Sequence, residues 1–225
     1  MSDQGARHAL VLGATGGIGE AVAAHLAAKG WRVTGLSRAD GLDWGDPAGA
    51  ERVLLAAPGP FEMVFDATGG LTLEGHPPEK KLAAIEAEAM ARHFAVNAIG
   101  PALIFKHYRA LIPRDRRAVI ATLSARVGSI GDNGLGGWIS YRAAKAALNQ
   151  IVKTAAIEIA RTRPKAICAA LHPGTVATAL SAPIVGTDGT VPPAEAAANL
   201  IRVLSGLTPS ESGGFYAYDG SQIPW

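Results

Sequence analysis

The sequence predicts an α/β fold: a single Rossmann-type, doubly wound parallel sheet with helices on both faces. Three observations carry this. Short apolar runs alternate along the chain with helix-patterned stretches, the order that builds a parallel sheet through crossover helices. The strand runs are apolar throughout, as strands covered on both faces are. No linker-like stretch interrupts the order, so residues 1–225 are read as one domain.

The elements follow in order. Ala9-Leu10-Val11-Leu12 is a buried strand that stops at a Gly-rich turn. Residues 18–29 form a helix with Ile18, Val22 and Leu26 on one face, ended by Gly30. Residues 31–36 give a second strand. Residues 53–57 are weakly helical and are broken by Pro58-Gly59-Pro60. Met63-Val64-Phe65 is a third or fourth strand, ended by Gly69-Gly70. Residues 82–111 form a long helical region with an interruption near Gly100-Pro101, and 118–123 a strand. Residues 141–161 are the strongest helix, with Ala144, Leu148, Ile151, Ala155 and Ile159 on one face. A strand over 165–171, a helix over 194–204 and a short strand over 215–218 complete the order.

Composition narrows the function classes. With 48% hydrophobic and 18% charged residues, the 225-residue chain is not a disordered one. A net charge of +2 makes no basic stripe, so no nucleic-acid partner is expected. The lone cysteine, Cys168, excludes an internal disulfide and a Cys-rich zinc site; in its apolar surroundings it reads as a buried, inert thiol. No His/Glu spacing suggests a metal. The uncharged stretch 166–187 contains His172, Pro173, Gly174 and Pro183, so no membrane span is expected, and the expected setting is soluble and cytoplasmic.

In such sheets ligands bind beyond the carboxyl ends of the strands. After the first strand comes Gly13-Ala14-Thr15-Gly16-Gly17-Ile18-Gly19, leading into a helix. Glycines let the backbone approach a pyrophosphate, and the helix N-terminus offers free N–H groups and a positive dipole end. Arg38 stands nineteen residues past Gly19, where an acid would bind the NAD ribose. An arginine there suits the ribose phosphate of NADP, so NADP(H) is favoured over NAD(H). Asp43, in Leu42-Asp43-Trp44, is placed to meet the adenine edge.

Three more features converge: Asn97 in the long helix, Tyr141-Arg142-Ala143-Ala144-Lys145 at the next helix, and Pro173-Gly174-Thr175-Val176-Ala177-Thr178 after the following strand. With the glycine turn they resemble the short-chain dehydrogenase/reductase family over nearly the whole chain. The segment 136–149 and the ending Asp219-Gly220-Ser221-Gln222-Ile223-Pro224-Trp225 look most like the branch of C-factor proteins and sniffer-type carbonyl reductases. Tyr141 and Lys145, four apart, share a helix face, and an ammonium near a phenol is expected to lower its pKa. The resemblance implies that Tyr141 exchanges the proton and Lys145 holds the nicotinamide ribose. It also implies that Asn97 anchors a water, that Val176 and Thr178 face the carboxamide and phosphates, and that Thr15, Ile18, Gly69, Pro173 and Gly174 touch the cofactor. His172 reads as structural.

Two positions depart from the family. Its Asn-Asn-Ala-Gly after the fourth strand is Asp66-Ala67-Thr68-Gly69 here, so a local change is expected. Its Ser-Ser pair after the fifth strand is Ser124-Ala125, with alanine at the serine that polarises the substrate carbonyl. In a regular strand Ser124 points to the other face, but past the strand end or at a bulge it is the best available substitute, with Ser129 as second candidate.

The expected function is hydride transfer between NADP(H) and a small carbonyl or alcohol substrate, with Tyr141 as general acid/base. The alternative is a dinucleotide-binding signalling or sensor protein of C-factor type with little turnover. Residues 179–193 are the candidate substrate-side lid, and Leu180, Ile184 and Val185 there favour an apolar ligand. The helices around Asn97 and Tyr141 are the expected face of a homodimer or homotetramer.

Overall fold

The computed structural model of the chain describes residues 6–178 and 189–225. Six parallel strands form one sheet in the order β2-β1-β3-β4-β5-β6: β1 His8–Leu12, β2 Arg32–Leu36, β3 Met63–Asp66, β4 Ala118–Leu123, β5 Ala166–His172 and β6 Gly214–Ala217. Every residue of β1, β3, β4 and β6 is buried, as the unbroken apolar runs predict.

Alternate strand side chains feed two cores. Leu10, Leu12, Val64, Ile120 and Cys168 pack on one face. Helices α2 (Pro47–Ala56), α4 (Gly100–Lys106), α5 (Tyr108–Leu111) and α6 (Ile139–Ala160) cover it through Leu54, Ile104, Tyr108 and Leu148. Val11, Phe65, Val119 and Ile167 pack on the other face, under Val22 and Leu26 of α1 (Gly17–Ala28) and Leu200 and Leu204 of α7 (Pro193–Gly206). Burial of these side chains is the main stabilising term.

Three sequence expectations change. Met63–Asp66 is the third strand, because residues 41–46 pass as a loop and not as a strand. The helix before it begins at Pro47, capped by the Asp46 carboxylate on the Gly49 N–H at 3.1 Å, six residues earlier than the pattern suggested. The helical region over 82–111 is interrupted before Gly100-Pro101 as expected, but it is divided further: a 3₁₀ turn at Leu82–Ala84, α3 (Ala87–Phe94), a π-helical turn at Ala95–Ile99, then α4 and α5.

The register aligns the carboxyl ends: Leu12 pairs with Leu36 and Asp66, Asp66 with Thr122, and Leu123 with Leu171. The residues after every strand therefore meet along one edge of the sheet, and the order reverses between β1 and β3, the place where ligands bind in such folds.

Candidate active site

The glycine turn closes tightly against its neighbours. Gly13 has φ +76°, and its N–H and that of Ala14 both bond the Leu36 carbonyl, at 2.8 and 3.1 Å. A Cβ on Gly19 would stand 2.1 Å from the Gly13 carbonyl oxygen, so only glycine fits there. No side chain caps the N-terminus of α1, which leaves its first N–H groups available to an anion. Thr178 reaches this turn: its methyl would lie 2.8 Å from a Cβ on Gly17. These features fit a dinucleotide pyrophosphate. Thr15 is exposed and Ile18 partly buried at the same turn. Pro173 and Gly174 follow β5, with Gly174 at φ +78°, and Val176 is buried and bridges to Val191.

Arg38 is exposed after β2, and among the described residues its side chain has no hydrogen bond or ion pair. Asp40 nearby accepts from the Ser37 N–H and hydroxyl at 2.9 and 2.8 Å. Asp43 accepts from the Gly45 N–H at 2.9 Å and is otherwise open to solvent.

Asn97, Lys145 and Gly69 are brought together: a Cβ on Gly69 would stand 3.1 Å from Asn97 Oδ1 and 3.4 Å from Lys145 Nζ. Asn97 is fully buried in the π-helical turn, its Oδ1 accepting from the Gly70 N–H and its Nδ2 donating to the Gly70 carbonyl, both at 3.0 Å. Lys145 is buried and donates to the Leu123 carbonyl at 2.8 Å; burial lowers its pKa to about 8, against the pull of Asp66. Its Nζ lies 5.7 Å from the centre of the Tyr141 ring. The expectation that Lys145 lowers the Tyr141 pKa is corrected here. Burial raises the phenol above its ordinary value, so it holds its proton.

Ser124 lies one residue past β4, buried, and gives its hydroxyl proton to Asn149 Oδ1 at 2.7 Å. Ser129 donates to the Pro224 carbonyl at 2.6 Å. Both candidate serines thus bond within the protein. Ala125 itself is extended and partly buried. His172 ends β5 with Nδ1 buried and unpartnered, and burial pushes its pKa down to about 4. Cys168 is buried, its thiol pushed up to about 12 by burial.

Several residues here escaped the sequence reading. Asp66, at the departure from the family pattern, is buried and accepts from the Thr68 N–H and hydroxyl and the Thr122 hydroxyl at 2.9, 2.5 and 2.7 Å. Burial raises its pKa, opposed by those bonds and by Lys145. Thr68 in turn accepts from Trp44 Nε1 at 3.0 Å, which ties the loop after β2 to the loop after β3. His93, four residues before Asn97, is buried; its ring meets Tyr141 edge-on, with centroids 5.9 Å apart. The i, i+4 spacing from Asn97 was the available signal.

A cavity of about 520 Å³ opens beside His93 and Ser140, walled also by His76, Glu79, Arg92 and Trp138. Glu79 accepts from the Ser140 N–H and hydroxyl, both at 2.6 Å, and so caps the helix that bears Tyr141. Burial works against its charge, but the Ser140 bonds, its own backbone N–H and the nearby His93 together outweigh it and hold its pKa low. This described wall mixes polar side chains with apolar ones such as Leu73, Pro77, Pro78 and Ala89. Leu180, Ile184, Val185 and residues 179–188 of the candidate lid lie outside the described residues.

No described helix is long and apolar enough to cross a membrane, and no group of His, Cys, Asp and Glu among the described residues could hold a metal ion.

A family model described as enoyl-(acyl carrier protein) reductase matches residues 61–218. The C-signal of Myxococcus xanthus is 36% identical over 140 residues, 60% of this chain and 78% of that protein. A 1-hydroxy-2-glutathionyl-2-methyl-3-butene dehydrogenase of Rhodococcus sp. (strain AD45) is 31% identical over 165 residues, 73% of this chain and 69% of its own. The structure of an NADPH-bound carbonyl reductase from chicken fatty liver superposes with a TM-score of 0.82 at 21% identity, covering 98% of this chain and 94% of that one. With most of its length matched by the family model and its sheet by the solved fold, this chain belongs to the short-chain dehydrogenase/reductase family of NAD(P)-dependent oxidoreductases.

Proposed function

We propose that the protein is an NADP(H)-dependent reductase of a small carbonyl compound, or the matching alcohol dehydrogenase. The observation that carries this is the cluster of buried Lys145 and Asn97 with Gly69 beside Tyr141, at the end of the sheet that also bears the glycine turn. The free Arg38, and an Asp40 already held by Ser37, support NADP over NAD.

Arg38 holds the ribose phosphate, with Asp43 at the adenine edge. Gly13, Thr15, Gly17, Ile18, Gly19 and Thr178 hold the pyrophosphate. Gly69, Pro173, Gly174 and Val176 border the nicotinamide half. When bound, the cofactor supplies the hydride. Tyr141, a phenol that keeps its proton at neutral pH and whose pKa partial burial raises further, gives its proton to the carbonyl oxygen. Lys145 holds the ribose with its ammonium group. Asn97 fixes the turn after β3 through both bonds to Gly70. Ser124, committed to Asn149, steadies the strand end. Assembly through the faces of α4 and α6 belongs to the same reading and is checked by size-exclusion chromatography.

The test is a carbonyl panel assayed with NADPH and NADH in parallel. The reading expects NADPH oxidation, preferred over NADH, and a loss of at least about a hundredfold in kcat for Tyr141→Phe with NADPH binding kept. Unchanged turnover in Tyr141→Phe defeats it. The likeness to C-signal, with Ala125 at the serine position, favours a second reading: a dinucleotide-binding signalling protein with little turnover. That reading expects NADPH binding without oxidation across the panel.

A further inference from the structure

Ala125 leaves the family site without its second donor to the carbonyl oxygen, and neither Ser124 nor Ser129 has a hydroxyl proton to spare. The geometry points to His93 Nε2–H as the group that polarises the substrate carbonyl in place of the missing serine. This rests on the reductase reading.

The proton's position follows from a chain of fixed bonds. Asn97 Oδ1 accepts from the Gly70 N–H, so its Nδ2 is the donor. That Nδ2 lies 3.3 Å from His93 Nδ1, which must then be the acceptor. A neutral imidazole with a bare Nδ1 carries its proton on Nε2. Nε2 has no partner among the described residues, and the ring lines the 520 Å³ cavity. The charged groups facing the ring are Glu79, which favours the imidazolium, and Lys145 and Arg92, which oppose it. With burial the balance lowers the pKa, so the ring is neutral at pH 7.

The ring also meets Tyr141 edge-on, with centroids 5.9 Å apart, so the two side chains are neighbours at the site. In reduction the carbonyl carbon takes the hydride from the reduced nicotinamide and the carbonyl oxygen takes the Tyr141 proton. His93 keeps its own proton throughout and acts only as a hydrogen-bond donor to that oxygen. Two observations thus find a common cause: the alanine at 125 and the histidine one helical turn before Asn97.

The test uses the full chain with NADPH and a carbonyl substrate from the panel. His93→Leu is expected to lower kcat by about a hundredfold or more, the usual cost of one such donor, with NADPH affinity within about threefold of the parent. His93→Leu combined with Ala125→Ser is expected to regain at least about tenfold, which a packing role for His93 would not allow. A His93→Leu protein as active as the parent overturns the inference. So does a folded, NADPH-binding double variant that regains nothing. If His93→Leu does not fold, nitrogen-15 spectra of the parent with NADP⁺ and an unreduced ketone decide: a protonated Nε2 whose resonance moves on ketone binding supports the assignment, and an unmoved one overturns it. A parent that binds NADPH but reduces no carbonyl defeats the reductase reading and this inference with it, whereas an active parent with an indifferent His93→Leu defeats the inference alone.

Discussion

At the scale of single residues, the burial of Lys145 carries a stability cost. Its pKa falls from 10.5 to about 8 on burial. Between those values the unfolded chain binds a proton that the folded one does not, so stability rises with pH across that window. The expected gain is on the order of 3 kcal/mol from pH 8 to 10.5. Lys145→Met has no such titration, so denaturant melts of the two proteins at several pH values should converge or cross in that window. Parallel curves would show that the ammonium is not strained by its surroundings. Arg38 tests the other end of the site. It has no partner to lose among the described residues, so Arg38→Ala should leave the melting temperature unchanged. It should raise the KM for NADPH about ten- to hundredfold, the worth of one charge-assisted contact, with little change for NADH. Equal losses with both cofactors would remove Arg38 from the ribose phosphate.

Elements show where sequence pattern reaches and where it stops. Most strands were legible because they are short apolar runs, with β2 (Arg32–Leu36) the exception, and α6 because its apolar face repeats over 22 residues. The start of α2 was legible in principle, since Asp46-Pro47 is a cap followed by proline at the first helical position. The interruption of the long helix near Gly100-Pro101 was legible too, but its π-helical form was not. Gly100 lies against the Trp44 ring, where a Cβ would come within 2.5 Å, and the π-helical turn before it carries Asn97 inward. That contact joins residues far apart in sequence, and no local period records it. The glycine turn gives the sharpest prediction at this scale. Gly19→Ala drives a Cβ into the Gly13 carbonyl, so the turn must open. The expected result is a loss of about 1–3 kcal/mol in stability and at least about tenfold in NADPH affinity by fluorescence titration. A variant that binds as well as the parent would show that the turn does not hold the pyrophosphate.

Taken whole, the molecule concentrates its chemistry at the carboxyl ends of a sheet whose two cores are closed on either side. The cofactor half was the more legible, since its residues stand in fixed places after strands. The substrate half was not: its described wall comes from the segment after β3, positioned by Glu79 on Ser140 and by the Trp138 N–H on the Glu79 carbonyl at 2.6 Å. The sheet itself is bounded by β2, whose outer side pairs with nothing among the described residues and whose Arg32 is exposed and bonded to His8 Nδ1 at 2.6 Å. An open strand edge is a template for another chain, and a charge on it is a common safeguard against clumping. Arg32→Val would leave Val33 beside a second β-branched residue on an uncharged rim. Heated solutions of that variant should scatter light several degrees below the parent, even where dilute unfolding is unchanged; equal scattering onsets would show that the guard lies elsewhere. The position that ends the hydrogen-bonded ladder thus also governs whether the protein stays dispersed.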